Sequence, residues 1–252
     1  MTWQMALLVL PMVFLAACVD AIGGGGGLIS LPVYQAAGLP YDLASGTNKF
    51  SAMFGTLSAT VKYGRSGCIK WKQGLLASAA AIPAAWLGAT AVSGLNEKVK
   101  QVMLLVLLPL MAIVLLSEKS LPAESKPETP ARLWGCLAAG LLIGFYDGFF
   151  GPGTGTLLIL FLVRWAGMDA VSASGTAKLV NLSSNVSALA KWIASGNVLF
   201  ALAIPAACCG IAGGFIGSKI AMKRGAKAIR IVMLCVLALL IGKMAYGLIV
   251  GR

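Results

Sequence analysis

"DAIGGGGGLISLP", residues 20–32, decides how this chain is to be read. Five consecutive glycines, Gly23 to Gly27, interrupt an apolar run otherwise suited to a membrane helix, with Asp20 just before them and Pro32 just after. Glycine costs a helix interior about 1 kcal/mol per residue, so the run should end a helix. Irregular backbone survives at membrane depth only where protein or a water-filled cavity satisfies its N–H and C=O groups. A short helix is expected to begin after the glycines, over residues 28–35. Its free N–H groups and positive dipole end would attract an anion.

The membrane setting comes from composition. Of 252 residues, 59% are hydrophobic and only 11% are charged, against roughly a quarter charged in a soluble domain. Apolar runs near the ~20 residues that span a hydrocarbon core fall at about 42–63, 73–94, 97–117, 169–192, 197–218 and 228–250. Two more, 3–38 and 133–166, are broken by glycine. None alternates with the period of two that a β-barrel requires. The net charge of +12 reads as basic loops on the cytoplasmic side of a bilayer, not as a nucleic-acid surface, since no aromatic-basic module accompanies it. With no histidine in the chain, His-based catalysis, His metal ligands and a His proton relay are excluded. The six cysteines show no metal-ligand spacing, and neither a metal nor a cofactor is expected. "LAAC", Leu15 to Cys18, looks like a lipoprotein cleavage box. The first 48 residues contain no Lys or Arg, however, and a secretory signal needs a basic start, so the segment is read as mature protein.

The chain repeats itself. Asp20 with its glycines pairs with "YDGFFGPGTGTLLIL" (146–160), Asp20 matching Asp147. "ASGTNKF" (44–50) pairs with "ASGTAKL" (173–179), "SATVKY" (58–63) with "SALAKW" (187–192), and "AIPAA" (81–85) with "AIPAA" (203–207). Residues 1–117 and 132–252 are therefore two membrane repeats, joined by a polar, proline-containing linker over 118–131. If each glycine-broken segment spanned fully, the basic loops 62–72 and 219–230 would face opposite sides. If each is instead a re-entrant hairpin followed by three transmembrane helices, both basic loops share the cytoplasmic face with the linker, and both termini lie outside. The charge rule selects the second arrangement: an all-α polytopic membrane protein of two inverted repeats. A second short helix is expected near Leu157. Gly88, mid-span and outside the duplicated motif, is expected to tolerate a larger side chain better than Gly25.

Charged residues within a span are costly and mark function by default. Lys49 and Lys178 each follow an "SGT" triplet in the repeat, about 10 Å into their helices at ~1.5 Å per residue. Two lysines beside two helix starts make a seat for a small anion, with Gly25, Gly26, Gly153 and Thr154 from the glycine loops. Ser45, Thr47, Asn48, Ser174, Thr176 and Asn181 would supply neutral donors. The alternative is that each lysine pairs with Asp20 or Asp147 and locks the fold. These two acids are candidates for counter-ions to the lysines or for carriers of a coupled proton or cation. Gly213 and Gly217 form a small-residue helix-packing face.

The first-half "D-x-x-G-G-G-G-G" and "A-S-G-T-N-K", with the second-half "Y-D-G-F-F-G-P-G-T-G" and "A-S-G-T-A-K", resemble the TauE/SafE (sulfite exporter) family of bacterial membrane transporters. The resemblance covers residues 7 to 248. It implies a bacterial inner-membrane protein that is not an enzyme and moves small sulfur-containing anions such as sulfite or organosulfonates. Residues matching the family motifs are Asp20, Gly23 to Gly27, Ser45 to Lys49, Asp147, Gly151 to Gly155 and Ser174 to Lys178. The chain carries no ATP-binding P-loop, so a transporter of this kind would be secondary and work by alternating access. An anion channel and a non-transporting membrane assembly factor are the other readings.

Overall fold

The computed structural model describes residues 3–96, 99–100, 102, 122, 124–127 and 129–250. Every regular element among them is a helix: α1 (Trp3–Gly23), α2 (Gly27–Ala36), α3 (Tyr41–Arg65), α4 (Trp71–Ser93), α5 (Pro130–Phe149), α6 (Thr154–Arg164), α7 (Ala170–Ala194) and α8 (Phe200–Val250). α8 is two limbs meeting at Gly225, whose φ of 60° and ψ of −150° break the helix. Of the expected span 97–117, all but residues 99, 100 and 102 lie outside the described residues, as do positions 118–121, 123 and 128 of the linker.

α1, α4 and the Phe200–Gly225 limb of α8 are long and apolar enough to cross a membrane. α3 and α7, each 25 residues long, match a span in length. They are diluted by the serines, threonines and lysine of the duplicated motif, and their buried faces are correspondingly polar.

Each glycine-rich break is the tip of a helical hairpin. After α1 the chain turns at Gly24 and Gly25, whose φ values of +76° and +84° are open to glycine and strained for other residues. α2 then folds back along α1. Gly26 lies against Ala16 and Asp20, and Leu31 and Tyr34 share a core with Val9 and Val13. The second tip is built alike: Gly151 and Gly153, at φ +87° and +85°, flank Pro152. α6 starts at Thr154, three residues before the expected start, because Gly153 completes the turn. It returns along α5 until Trp165 meets Gly135. In each hairpin the first limb is of span length, 21 and 20 residues, and the returning limb is about half that, 10 and 11.

Small residues set the helix contacts. Gly140, Gly144 and Gly148 of α5 seat against Ala77, Ala81 and Ala85 of α4, so these helices run parallel. Gly213 and Gly217 of α8 seat against Phe14 and Cys18 of α1, again parallel and on the packing face expected of that glycine pair. α3 runs with α8, Gly55 meeting Gly210 and Gly214. α4 runs with α7, Gly74 meeting Leu179 and Ile82 O accepting from Ser187 Oγ. α3 and α7 cross head to tail: Gly46 meets Asn197, and Gly175 meets Cys68. Gly88 is not a tolerant position. A Cβ there would strike the Phe145 carbonyl and lie 2.7 Å from Phe149 N, because α4 and α5 touch backbone to backbone.

Candidate functional site

The two hairpin tips meet. Thr156 Oγ1 donates to Gly23 O at 2.9 Å, and a Cβ on Gly155 would lie 2.8 Å from Gly24 Cα. Around this junction the duplicated lysines and aspartates pair across the halves. Lys49 Nζ of α3 lies 2.8 Å from Asp147 Oδ1 of α5, and Lys178 Nζ of α7 lies 2.7 Å from Asp20 Oδ2 of α1. The tip glycines of the second hairpin make room for both ammonium groups. A Cβ on Gly151 would sit 3.5 Å from Lys49 Nζ, and one on Gly155 would sit 3.2 Å from Lys178 Nζ.

The pairs have different surroundings. Lys49 also donates to Asn185 Oδ1 at 2.9 Å, Asn185 Nδ2 donates to Asn181 Oδ1 at 3.2 Å, and Ser184 Oγ donates to Asp147 Oδ2 at 2.7 Å. Lys178 is fully buried. Its partner Asp20 accepts from Gly26 N at 3.3 Å, at the start of α2. The helix start expected to attract an anion therefore already holds a carboxylate of the chain itself.

A cavity of about 60 Å³ opens beside these groups, several times the ~10–15 Å³ that one water needs. Asp20, Ser45, Asn48, Lys49, Asp147 and Asn181 line it, with Gly26, Gly153 and Thr154 from the tips. Among the described residues, Ser45 Oγ and Asn48 Oδ1 are buried without a hydrogen-bond partner. Such orphans are rare in folded proteins, and each needs a ligand or water to satisfy it.

The residues singled out in the sequence separate accordingly. Lys49, Asp20, Asp147, Gly26, Ser45, Asn48, Gly153, Thr154 and Asn181 come together around the cavity, while Lys178, Gly25, Thr47, Ser174 and Thr176 are not in its lining. Ser174 Oγ donates to Ile22 O. The threonines of the two "SGT" triplets fasten the opposite half: Thr47 Oγ1 accepts from Leu199 N at 3.0 Å, and Thr176 Oγ1 accepts from Lys70 N at 3.0 Å. Thr154 spends its hydroxyl proton on Gly151 O. Ser184 was missed in the sequence. Its only signal is its place beside Asn181 and Asn185 on one helical stripe.

A family-wide sequence description, "Sulfite exporter TauE/SafE", matches residues 9–244. A "Probable membrane transporter protein" of Haemophilus influenzae is 30% identical over 92% of this chain and 91% of its own length. "Probable membrane transporter protein ORF9" of Sinorhizobium sp is 34% identical over 86% and 83%, and "Probable membrane transporter protein YfcA" of Escherichia coli K12 is 32% identical over 92% and 86%. No solved structure matches. The duplicated motif, the helical membrane architecture and these full-length matches agree: the chain belongs to the sulfite exporter TauE/SafE family of membrane transporters.

Proposed function

We propose that the protein is a secondary transporter that moves a small oxyanion, of the sulfite or organosulfonate class, across the bacterial inner membrane by alternating access of two inverted repeats. The observation that carries this reading is the cavity where the hairpin tips meet. It brings one buried lysine, Lys49, together with the unpartnered Ser45 and Asn48. Its size suits an ion of a few heavy atoms, and the family's description favours a sulfur oxyanion.

Helix direction supports the inverted arrangement. α1, α3 and the first limb of α8 run one way and α4, α5 and α7 the other, so among the described residues α1, α3 and α4 oppose their second-half counterparts α5, α7 and the first limb of α8. The same directions bring Arg65, Lys70, Lys72, Arg132, Lys219 and Lys223 to one end of the bundle, the end assigned to the cytoplasm. Broken helices meeting within the bilayer between inverted repeats are a recurring transporter plan.

The test is counterflow. Proteoliposomes loaded with unlabelled sulfite or methanesulfonate should accumulate the labelled anion transiently. A channel would pass single-molecule current without counterflow, and a non-transporting assembly factor would take up no anion. A screen of small anions for thermal stabilisation of purified protein identifies the probe, since a ligand at about 100 times its Kd adds ~2.7 kcal/mol.

A further inference from the structure

The cavity and its surroundings hold two lysines and two aspartates in close pairs, so the site is electrically balanced before any substrate arrives. An incoming anion finds no uncommitted lysine there. Lys49 Nζ is engaged by Asp147 and Asn185, and Lys178 by Asp20, outside the lining. Inserting a bare anion would leave a net buried negative charge, which low-dielectric surroundings penalise heavily.

We infer that Asp147 is a built-in competitor for Lys49: the transported anion takes the carboxylate's place on the ammonium group, and Asp147 takes up one proton for each anion bound. The step balances. The Lys49 ammonium keeps its protons and exchanges one anionic oxygen for another, and one proton from solution bonds to an Asp147 oxygen. For a singly charged anion the net charge of the site does not change. This inference rests on the anion-binding reading above.

Geometry singles out Asp147 over Asp20. Asp147 touches the lysine that lines the cavity, and both lie in the lining. Asp20 also lines the cavity, but its partner Lys178 lies behind it, and its other oxygen accepts from Gly26 N. Asp147 has a hydroxyl on its second oxygen, Ser184 Oγ, at 2.7 Å. A hydroxyl can accept as well as donate, so it can serve the neutral acid as it serves the carboxylate. The second-half "SGTAK" stripe carries Ser184 and Asn185 one to two turns beyond Lys178, whereas the first-half counterparts are Gly55 and Thr56. The exchange site is thus built around one lysine of the pair. The other charged and titratable groups near Asp147 are Lys49 from α3 and Asp20 from α1, which share the cavity lining with it, and its chain neighbour Tyr146, whose hydroxyl donates to Pro152 O.

The test uses methanesulfonate, which stays singly charged at every pH of interest, with calorimetry on the full-length protein in detergent. Wild-type affinity should weaken by up to about tenfold per pH unit as pH rises through the range where Asp147 gives up its proton, the limit for one linked proton. Titrations in buffers of different ionisation enthalpy should report uptake of close to one proton per anion. Asp147→Asn should bind with little pH dependence and, at alkaline pH, more tightly than wild type. Ser184→Ala removes the donor on Asp147 Oδ2 but keeps the acid, so it should retain the proton uptake and the pH-dependent affinity of wild type. The wild-type titrations serve if Asp147→Asn fails to fold. Wild-type binding that is flat with pH and takes up no proton overturns the exchange while leaving the anion site standing. Absence of binding at any pH overturns both.

Discussion

Removing Lys178 separates its role from that of Lys49. Its ammonium group is fully buried, 2.7 Å from Asp20, and does not line the cavity. Lys178→Ala leaves the Asp20 carboxylate with only its Gly26 N–H bond. Breaking a buried pair from one side costs about 3–5 kcal/mol. Asp20 keeps 19% of its side-chain surface exposed, which puts the expected loss near the lower end, ~3 kcal/mol. At roughly 2–4 °C per kcal/mol for a chain of this size, the melting temperature should fall by about 6–12 °C. Adding Asp20→Asn should recover most of that loss, because the amide oxygen can still accept from Gly26 N and no bare charge remains. The folded Lys178→Ala/Asp20→Asn protein should bind anion nearly as well as wild type, because no bare charge is left in the cavity lining. Melting curves followed by tryptophan fluorescence, beside calorimetric anion titrations of the same samples, measure both. A Lys178→Ala protein with native stability and lost anion affinity would refute the reasoning and return both lysines to one shared anion seat.

Further outcomes are expected. Thr47→Val and Thr176→Val each strand a backbone N–H, that of Leu199 or Lys70, and should each lower stability by about 1–3 kcal/mol in melting experiments. Gly155→Ala drives a methyl between Gly24 Cα and Lys178 Nζ and should reduce the folded yield, read by size-exclusion chromatography. Gly88→Leu should be as damaging to folded yield as Gly25→Leu, since α4 and α5 leave no space at Gly88; normal yield would contradict that packing. On a cysteine-free background, Lys70→Cys and Lys223→Cys should be labelled from the same side of the membrane, and labelling from opposite sides would contradict the inverted topology.

Much of this architecture was legible in the sequence, and the reasons are local. The glycine runs break helices wherever they occur, so both hairpin tips could be located from composition and spacing. The repeat offset carries structural detail as well: Gly38 and Gly67 reappear as Gly167 and Gly196, all with positive φ. What the sequence left open depended on contacts between distant residues. It allowed each lysine to pair with either aspartate; the structure crosses the halves, 98 and 158 residues apart along the chain. The "SGT" threonines read as ligand donors because they flank a lysine on a polar helix. Their hydroxyls instead meet the turns before α8 and α4, which no local pattern announces. Gly88 read as tolerant because it stands outside the motif, yet its partner helix comes from the other repeat.

The central claim is that a small anion binds at Lys49, between the hairpin tips. Calorimetry on Lys49→Ala, with its melting curve recorded beside it, tests this most directly. Losing a hydrogen bond to a charged group costs roughly 1.5–3 kcal/mol, so the Kd for methanesulfonate should rise about 10- to 150-fold at ~1.4 kcal/mol per decade. Lys49→Arg should restore only part of the affinity, because a planar fork does not fill a point-charge site. Native affinity in folded Lys49→Ala protein would contradict the account.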